Sequence, residues 1–112
     1  MSEAVQILAQ VSPAANTSTS LFATLSTSAV ISSIVICNTN STTQTFTIWL
    51  VPGGATNPST KQYLYYQLPI LANDTFIATI GVTMATTSGA DALWCSSNAA
   101  GLAFNVFGVS IT

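Results

Sequence analysis

Side chains along "TFTIWLV" (residues 45–51) change character at every step. Phe46, Ile48 and Leu50 fall on one side of an extended chain, and Thr45, Thr47, Trp49 and Val51 on the other. The same period returns in "DTFIATI", where Phe76, Ala78 and Ile80 alternate with Thr75, Ile77 and Thr79. It returns again in "LAFNVFGVSI", where Leu102, Phe104 and Val106 oppose Ala103, Asn105 and Phe107. Successive side chains of a strand point to opposite faces, whereas a helix brings its apolar positions back every three or four residues, so this period commits the chain to strands. The alternating positions are held mostly by β-branched and aromatic residues, the types that fit a pleated surface. No longer window carries a helical apolar face, and at most a single helical turn is expected in "TTSGADAL".

Strands are predicted near residues 5–11, 21–25, 29–37, 45–51, 62–68, 74–83, 92–97 and 102–111. The segments between them have turn chemistry. "SPAAN" carries Pro13, which has no N–H for a ladder; "NTNSTT" is a polar hairpin joint; "PGGATNPST" combines two glycines with two prolines. Seven or eight short strands with frequent turns predict an all-β fold, an antiparallel, jelly-roll-like β-sandwich. At 112 residues the whole chain, 1–112, is expected to be one domain. A chain of this size buries roughly 65% of its unfolded surface, enough for a core without staples.

A two-sheet core needs one apolar face per strand. Several strands here have two. In "AVISSIVIC", strict alternation sets Ile31 and Val35 against Val30, Ile34 and Ile36, and in β-prone "TFTIWLV" Trp49 and Val51 oppose Phe46, Ile48 and Leu50. Each such side chain gains about 1.5–3 kcal/mol on full burial. A sandwich this small has no third layer, so the second face is expected to be covered by another subunit, a homo-oligomer with a trimer favoured.

Charge is nearly absent: one basic residue, Lys61, and three acidic ones, Glu3, Asp74 and Asp91, amount to 4% of the chain against a usual ~25%. Residues 4–60 carry no charge at all. A chain with one lysine and no arginine cannot neutralise a run of phosphates, so no nucleic-acid partner is expected, and the polybasic route to anionic lipid is absent as well. The best apolar run, "AVISSIVIC", is interrupted by two serines and falls far short of the about 20 residues of a spanning helix, so no membrane partner is expected. The opening "MSEAVQILAQVSP" begins acidic and has no basic leader region, which reads as a product made in the cytoplasm. In that reducing compartment Cys37 and Cys95, each within an apolar strand pattern, are expected to stay thiols.

Catalytic chemistry finds little to work with. There is no histidine, and Asp74 in "LANDTF" and Asp91 in "SGADAL" read as turn residues. Lys61, in "NPSTKQY", reads as a solvated loop residue rather than the activator of a serine. Metal ligands do not cluster, "VPGGA" matches no phosphate-loop spacing, and the N-x-S/T triplets at Asn16, Asn40 and Asn73 read as polar turns. No enzyme, no cofactor and no metal site is expected. The aromatic set is the one candidate site. In "KQYLYYQLP", Tyr63 and Tyr65 are expected on one face and Leu64 and Tyr66 on the other. With Trp49 or Trp94 they would make either a protein interface or a platform for a sugar ring. Trp49, Tyr63, Tyr65, Tyr66 and Trp94 are therefore the candidate contact residues, together with the loop 53–60.

Several stretches taken together are similar to small virion structural proteins of tailed bacteriophages. They are "LAQVSPAANTSTSLF", "ISSIVICNTNSTTQTFTIWLVPGG", "KQYLYY", "LANDTFIATIGVTM" and the closing "LAFNVFGVSIT". In those proteins a "PAA" turn precedes the first strands, an apolar strand ending in Cys-Asn leads to a polar hairpin, and an Asn-Asp-Thr turn opens a strand before a Gly-containing bend. They often carry an arginine in the strand before the last, where this chain has "DALWCSSN". The resemblance implies a β-sandwich component of the virion, with no active site to carry over. The resulting expectation is a capsid decoration or cement protein, partnered by the major capsid protein or other virion proteins, located in the virion after synthesis in the host cytoplasm. A neck, tail or fibre component is the alternative within that class, and a carbohydrate-binding module the alternative outside it.

Overall fold

The computed structural model describes residues 3–24, 28–53, 62–86 and 89–111, with the side chain of residue 4 excepted. These residues form nine strands and no α-helix: β1 (Glu3–Val11), β2 (Thr19–Ala23), β3 (Ser28–Asn38), β4 (Gln44–Val51), β5 (Tyr63–Ile70), β6 (Thr75–Ala78), β7 (Val82–Ala85), β8 (Ala92–Ser97) and β9 (Leu102–Ile111). All pairings are antiparallel, in two sheets. One runs β1-β9-β3-β6, with β7 also on β3; the other runs β2-β8-β4-β5. First strand pairs with last, second with next to last, and so inward to β4 with β5. That nesting, wrapped over two sheets, is jelly-roll connectivity. The Cα envelope is 19 Å in its shortest direction, room for two sheets about 10 Å apart and no third layer.

The predicted strand over 74–83 is two strands. β6 pairs with residues 34–37 of β3 and β7 with residues 28–31, leaving Thr79, Ile80 and Gly81 between them. The cause lies in the partner. β3 is interrupted at Ser32 and Ser33, where its register against β9 shifts between Ile31 and Ser33. A bulge bends the strand and reverses the facing of everything beyond it. Strict alternation would put Ile31 on the face opposite Ile34 and Ile36. With the bulge, all three point inward and are fully buried, and Val30 and Val35 turn outward. The predicted strand over 21–25 appears as β2, and residue 25 lies outside the described residues.

Between the sheets, Phe46 of β4 is the centre of an aromatic cluster. Its ring is 5.4 Å from Phe76 and 6.1 Å from Phe104, the latter edge-on at 80°. Isoleucines 31, 34, 36 and 48, Leu93, Leu102 and Val106 close around it. Both cysteines are free thiols: Cys95 is buried in this core, and Cys37 sits on the outward-facing positions of β3. Burial away from water pushes the Cys95 thiol up to about 12.

The two ends of the sandwich are tied by polar residues. At one end Asp91 joins three segments. Its carboxylate accepts from the N–H groups of Gly53 (2.8 Å) and Ala85 (3.0 Å), and its carbonyl accepts from the N–H and hydroxyl of Thr24 (both 3.0 Å). At the other end Asn38 is fully buried. Its carboxamide donates to the carbonyls of Thr42 (3.0 Å), Ile70 (3.1 Å) and Leu71 (3.1 Å) and accepts from the Asn40 N–H (2.9 Å). Asp74 belongs to that end: its carbonyl accepts from the Asn38 N–H, and its Oδ1 from the Thr75 N–H. β3 separates the two carboxylates by its length, roughly 30 Å at about 3.3 Å per residue. Asp74 and Asp91 therefore do not approach each other, and both are turn residues.

Candidate functional site

The two outer faces of the sandwich differ in chemistry. On the β1-β9-β3-β6 sheet the outward positions follow from the register. Val5 lies beside Val109, which lies beside Val30; Ile7 lies beside Phe107; Val35 lies beside Ile77. Val5 is 85% exposed, Ile7 57% and Ile77 63%. This is the second apolar face that the sequence implies, with Ile77 and Val35 at one side of it and the long edge strand β1 at the other.

On the β2-β8-β4-β5 sheet the outward positions form two rows. The first is aromatic: Trp94 of β8 pairs with Trp49 of β4, which pairs with Tyr63 of β5. The Trp49 and Tyr63 rings are 5.4 Å apart, and Tyr63 meets Tyr66 edge-on at 4.6 Å. Trp49 is nearly covered by its neighbours, while Tyr66 is 60% exposed. The second row is polar, two residues further along each strand. Thr47 pairs with Ser96, and Gln67 donates its N–H to the Thr47 hydroxyl oxygen at 3.0 Å. Thr45, Asn98, Asn16 and Ser18 continue this row to the end of the sheet, and together these side chains line a groove of about 230 Å³. The loop carrying Asn16 is held against the sheet by its N–H, which donates to the Ser97 carbonyl at 2.8 Å. Asn98 is exchanged with Thr45 through both backbone and side chain.

Four of the five aromatic residues singled out from the sequence, Trp49, Tyr63, Tyr66 and Trp94, thus share one outer face. Tyr65 does not. It points into the core, 5.6 Å from Phe76 and 6.3 Å from Phe46. The expected pairing of Tyr63 with Tyr65 on one face fails because β5 is bulged twice against β4. Trp49 pairs with Tyr63 and Ile48 with Tyr65, leaving Leu64 as an extra residue, and Thr47 then stands opposite both Tyr66 and Gln67. Each extra residue shifts the phase by one position. Gln67 itself adopts φ +47°, a left-handed backbone that glutamine rarely takes. Of the loop 53–60, Gly53 is bound to Asp91 as described, and residues 54–60 lie outside the described residues, as does Lys61. The polar row was not singled out from the sequence, although "TFTIW" already places Thr45 and Thr47 on the Trp49 face.

Among the described residues no group of three or more His, Cys, Asp or Glu side chains could hold a metal ion, and no helix is long and apolar enough to cross a membrane.

No protein-family model matches the chain, and no curated protein matches it in sequence. Among solved structures it is similar to that of infectious bursal disease virus, Gt strain, at 12% identity and a TM-score of 0.48. The Gx strain structure of the same virus gives 12% identity and a TM-score of 0.43. In both, the match covers 96% of this chain and 30% of the other, so this chain spans under a third of the structures it matches.

Proposed function

We propose that this protein is a non-enzymatic structural component of a tailed-bacteriophage virion, acting as a capsid decoration or cement protein that assembles through the outer face of its β1-β9-β3-β6 sheet. The observation that carries this reading is the uncovered apolar surface around Val5, Ile7 and Ile77. Transfer of each such side chain out of water contributes about 1.5–3 kcal/mol, and the flanking Val30, Val35, Phe107 and Val109 extend the same surface. A face of this kind on a two-layer fold favours a second protein over water. Jelly-roll sandwiches serve as shell subunits in viral capsids, and although a fold alone does not assign a role, the sequence resemblance to phage virion proteins supports the same reading.

The mechanism is area burial. A small cyclic oligomer, a trimer suited to the three-fold positions of an icosahedral shell, would bridge neighbouring capsid subunits and raise the work needed to part them. With no ions to desolvate, such a contact holds equally at low and high salt. The test is the mass of the purified chain by size-exclusion chromatography with light scattering at both salt levels, followed by co-sedimentation with purified capsids and, separately, tails. A salt-resistant oligomer that becomes monomeric in Val5→Asp/Ile7→Asp supports the assembly. Binding to capsids supports cement, and binding to tails alone moves the protein to the neck or tail. A wild-type monomer that binds neither removes the proposal.

A further inference from the structure

We propose that the outer face of the β2-β8-β4-β5 sheet binds a neutral saccharide, with a sugar ring against Tyr66 and its hydroxyl groups bonded by Gln67, Ser96 and Asn16. This site lies on the opposite side of the sandwich from the apolar face and does not depend on the assembly proposed above.

The chemistry of the lining selects the ligand. Every side chain in the groove is a hydroxyl or a carboxamide, groups that both donate and accept. A polyol needs that mixture. A phosphate or carboxylate would call for cations, and none lines the groove. An apolar ligand would strand the amides without partners, at a cost of about 1–3 kcal/mol each. Among the described residues, the side chains of Asn16, Ser18, Thr45, Gln67 and Ser96 are not engaged in any hydrogen bond of the fold, so they are available to a ligand. The aromatic row stands two residues away along the strands, about 7 Å, so one ring-sized ligand can rest on it and reach the polar row at once. The volume of about 230 Å³ lies just under the range of roughly 300–1,000 Å³ typical of drug-sized sites, and suits one or two sugar units in an open groove.

Backbone conformation adds an independent observation. Asn16 (φ +54°) and Gln67 (φ +47°), two of the three non-glycine residues with left-handed backbone among those described, both line this groove. Such conformations cost of order 1–3 kcal/mol and concentrate where a side chain must be aimed. Here the bulge that strains Gln67 also brings Tyr66 onto Tyr63 and seats the Gln67 backbone N–H on the Thr47 hydroxyl, with Gln67 lining the groove. One local irregularity thus assembles both halves of the site.

Both tryptophans of the chain lie on this face, so their fluorescence reports its occupancy. The full-length protein is titrated with cellobiose, maltose, lactose and N,N′-diacetylchitobiose, and with sialyllactose as the charged comparison. The expected result is a saturable change with at least one neutral disaccharide, in the millimolar range of about 1 mM. Gln67→Gly removes the carboxamide while relieving the left-handed strain, so it should melt no lower than the wild type yet bind about tenfold more weakly. Tyr66→Ala should weaken binding by about five- to tenfold, and Ile77→Ser, on the other sheet, should leave it unchanged. No saturable change with any neutral saccharide overturns the proposal. So does binding that survives intact in both Gln67→Gly and Tyr66→Ala, or a preference for sialyllactose.

Discussion

Gly108 offers the most direct test of how the central strands meet. It lies in β9 opposite Ile31, at the point where β3 bulges, and the Ser32 hydroxyl there donates to the Phe107 carbonyl at 3.1 Å. A Cβ on residue 108 would overlap the Val30 carbonyl oxygen outright and stand 3.0 Å from its carbon and 3.1 Å from the Ile31 Cα. These are backbone atoms of a strand paired on both sides, so they cannot rotate aside as a side-chain tip would. Restoring an ordinary carbon contact of roughly 3.5 Å requires β9 and β3 to separate locally. Overpacking of this kind costs about 1–3 kcal/mol, and two ladder hydrogen bonds lost with it add about 0.5–1.5 kcal/mol each. Gly108→Ala should therefore destabilise by about 2–6 kcal/mol, a large share of the 5–15 kcal/mol that holds a domain together. At roughly 4 °C per kcal/mol for a chain near this size, the melting temperature should fall by about 8–24 °C. Circular dichroism melts at two or more protein concentrations would separate this from an effect on assembly. Gly81→Ala is the control: nothing lies within 4 Å of its Cβ, so it should be neutral or gain about 0.4–1 kcal/mol. A Gly108→Ala protein that melts within about 2 °C of wild type would refute the close approach of β9 to β3.

Three further outcomes are expected. Asn38→Asp replaces a fully buried donor that serves three carbonyls with an acceptor facing them, and should cost at least about 3 kcal/mol in urea unfolding, whereas Asn40→Ala, which removes one partner, should cost about 1 kcal/mol. Asp91→Ala frees the ends of β4 and β7 together, while the two bonds from Thr24 go to the backbone carbonyl and remain; it should lower stability by about 2 kcal/mol and speed hydrogen exchange at the Gly53 and Ala85 amides above all. Because burial raises the Cys95 thiol from an ordinary 9.0 to about 12, the unfolded chain releases this proton first as pH rises. Its contribution is intact below pH 9 and is lost towards pH 12, at about 1.4 kcal/mol per unit, and Cys95→Ala should flatten that part of the stability–pH curve.

Alternation located the strands because the core reads only one face, and Phe46, Ile48, Phe104 and Val106 all point where a period of two puts them. It failed wherever a strand gained a residue. Ser32 in β3 and Leu64 in β5 are ordinary strand residues in composition, and nothing local marks them as bulges. The bulges are imposed by pairing with β9 and β4, which is set by partners distant in the chain. Hence strict alternation sends Ile31 and Tyr65 to the wrong faces, while Trp49 and Trp94, in strands whose mutual register is unbroken, lie side by side. The polar groove was legible only in part: Thr45 and Thr47 share the Trp49 face by simple alternation, but Asn16, Gln67 and Asn98 reach them through loops and a bulge.

The near absence of charge has a positional logic. Glu3 opens the edge strand β1, Asp74 sits in the turn before β6, and Asp91 clamps the opposite end of the sandwich. None stands in the middle of a face. On the β1-β9-β3-β6 side, a charge among Val5, Ile7, Phe107 and Ile77 would have to be desolvated by any protein laid over them, at several kcal/mol per ion. On the β2-β8-β4-β5 side, an ion beside Thr47, Ser96 and Gln67 would capture the hydroxyls and amides that a neutral ligand needs. On the two proposals made above, the two surfaces would exclude charge for two different reasons. Substituting lysine on either face should therefore impair only the interaction of that face, Ile77→Lys the assembly and Ser96→Lys the saccharide. A lysine at Ser96 that left saccharide binding intact would mean that the groove is neutral by composition and not by use.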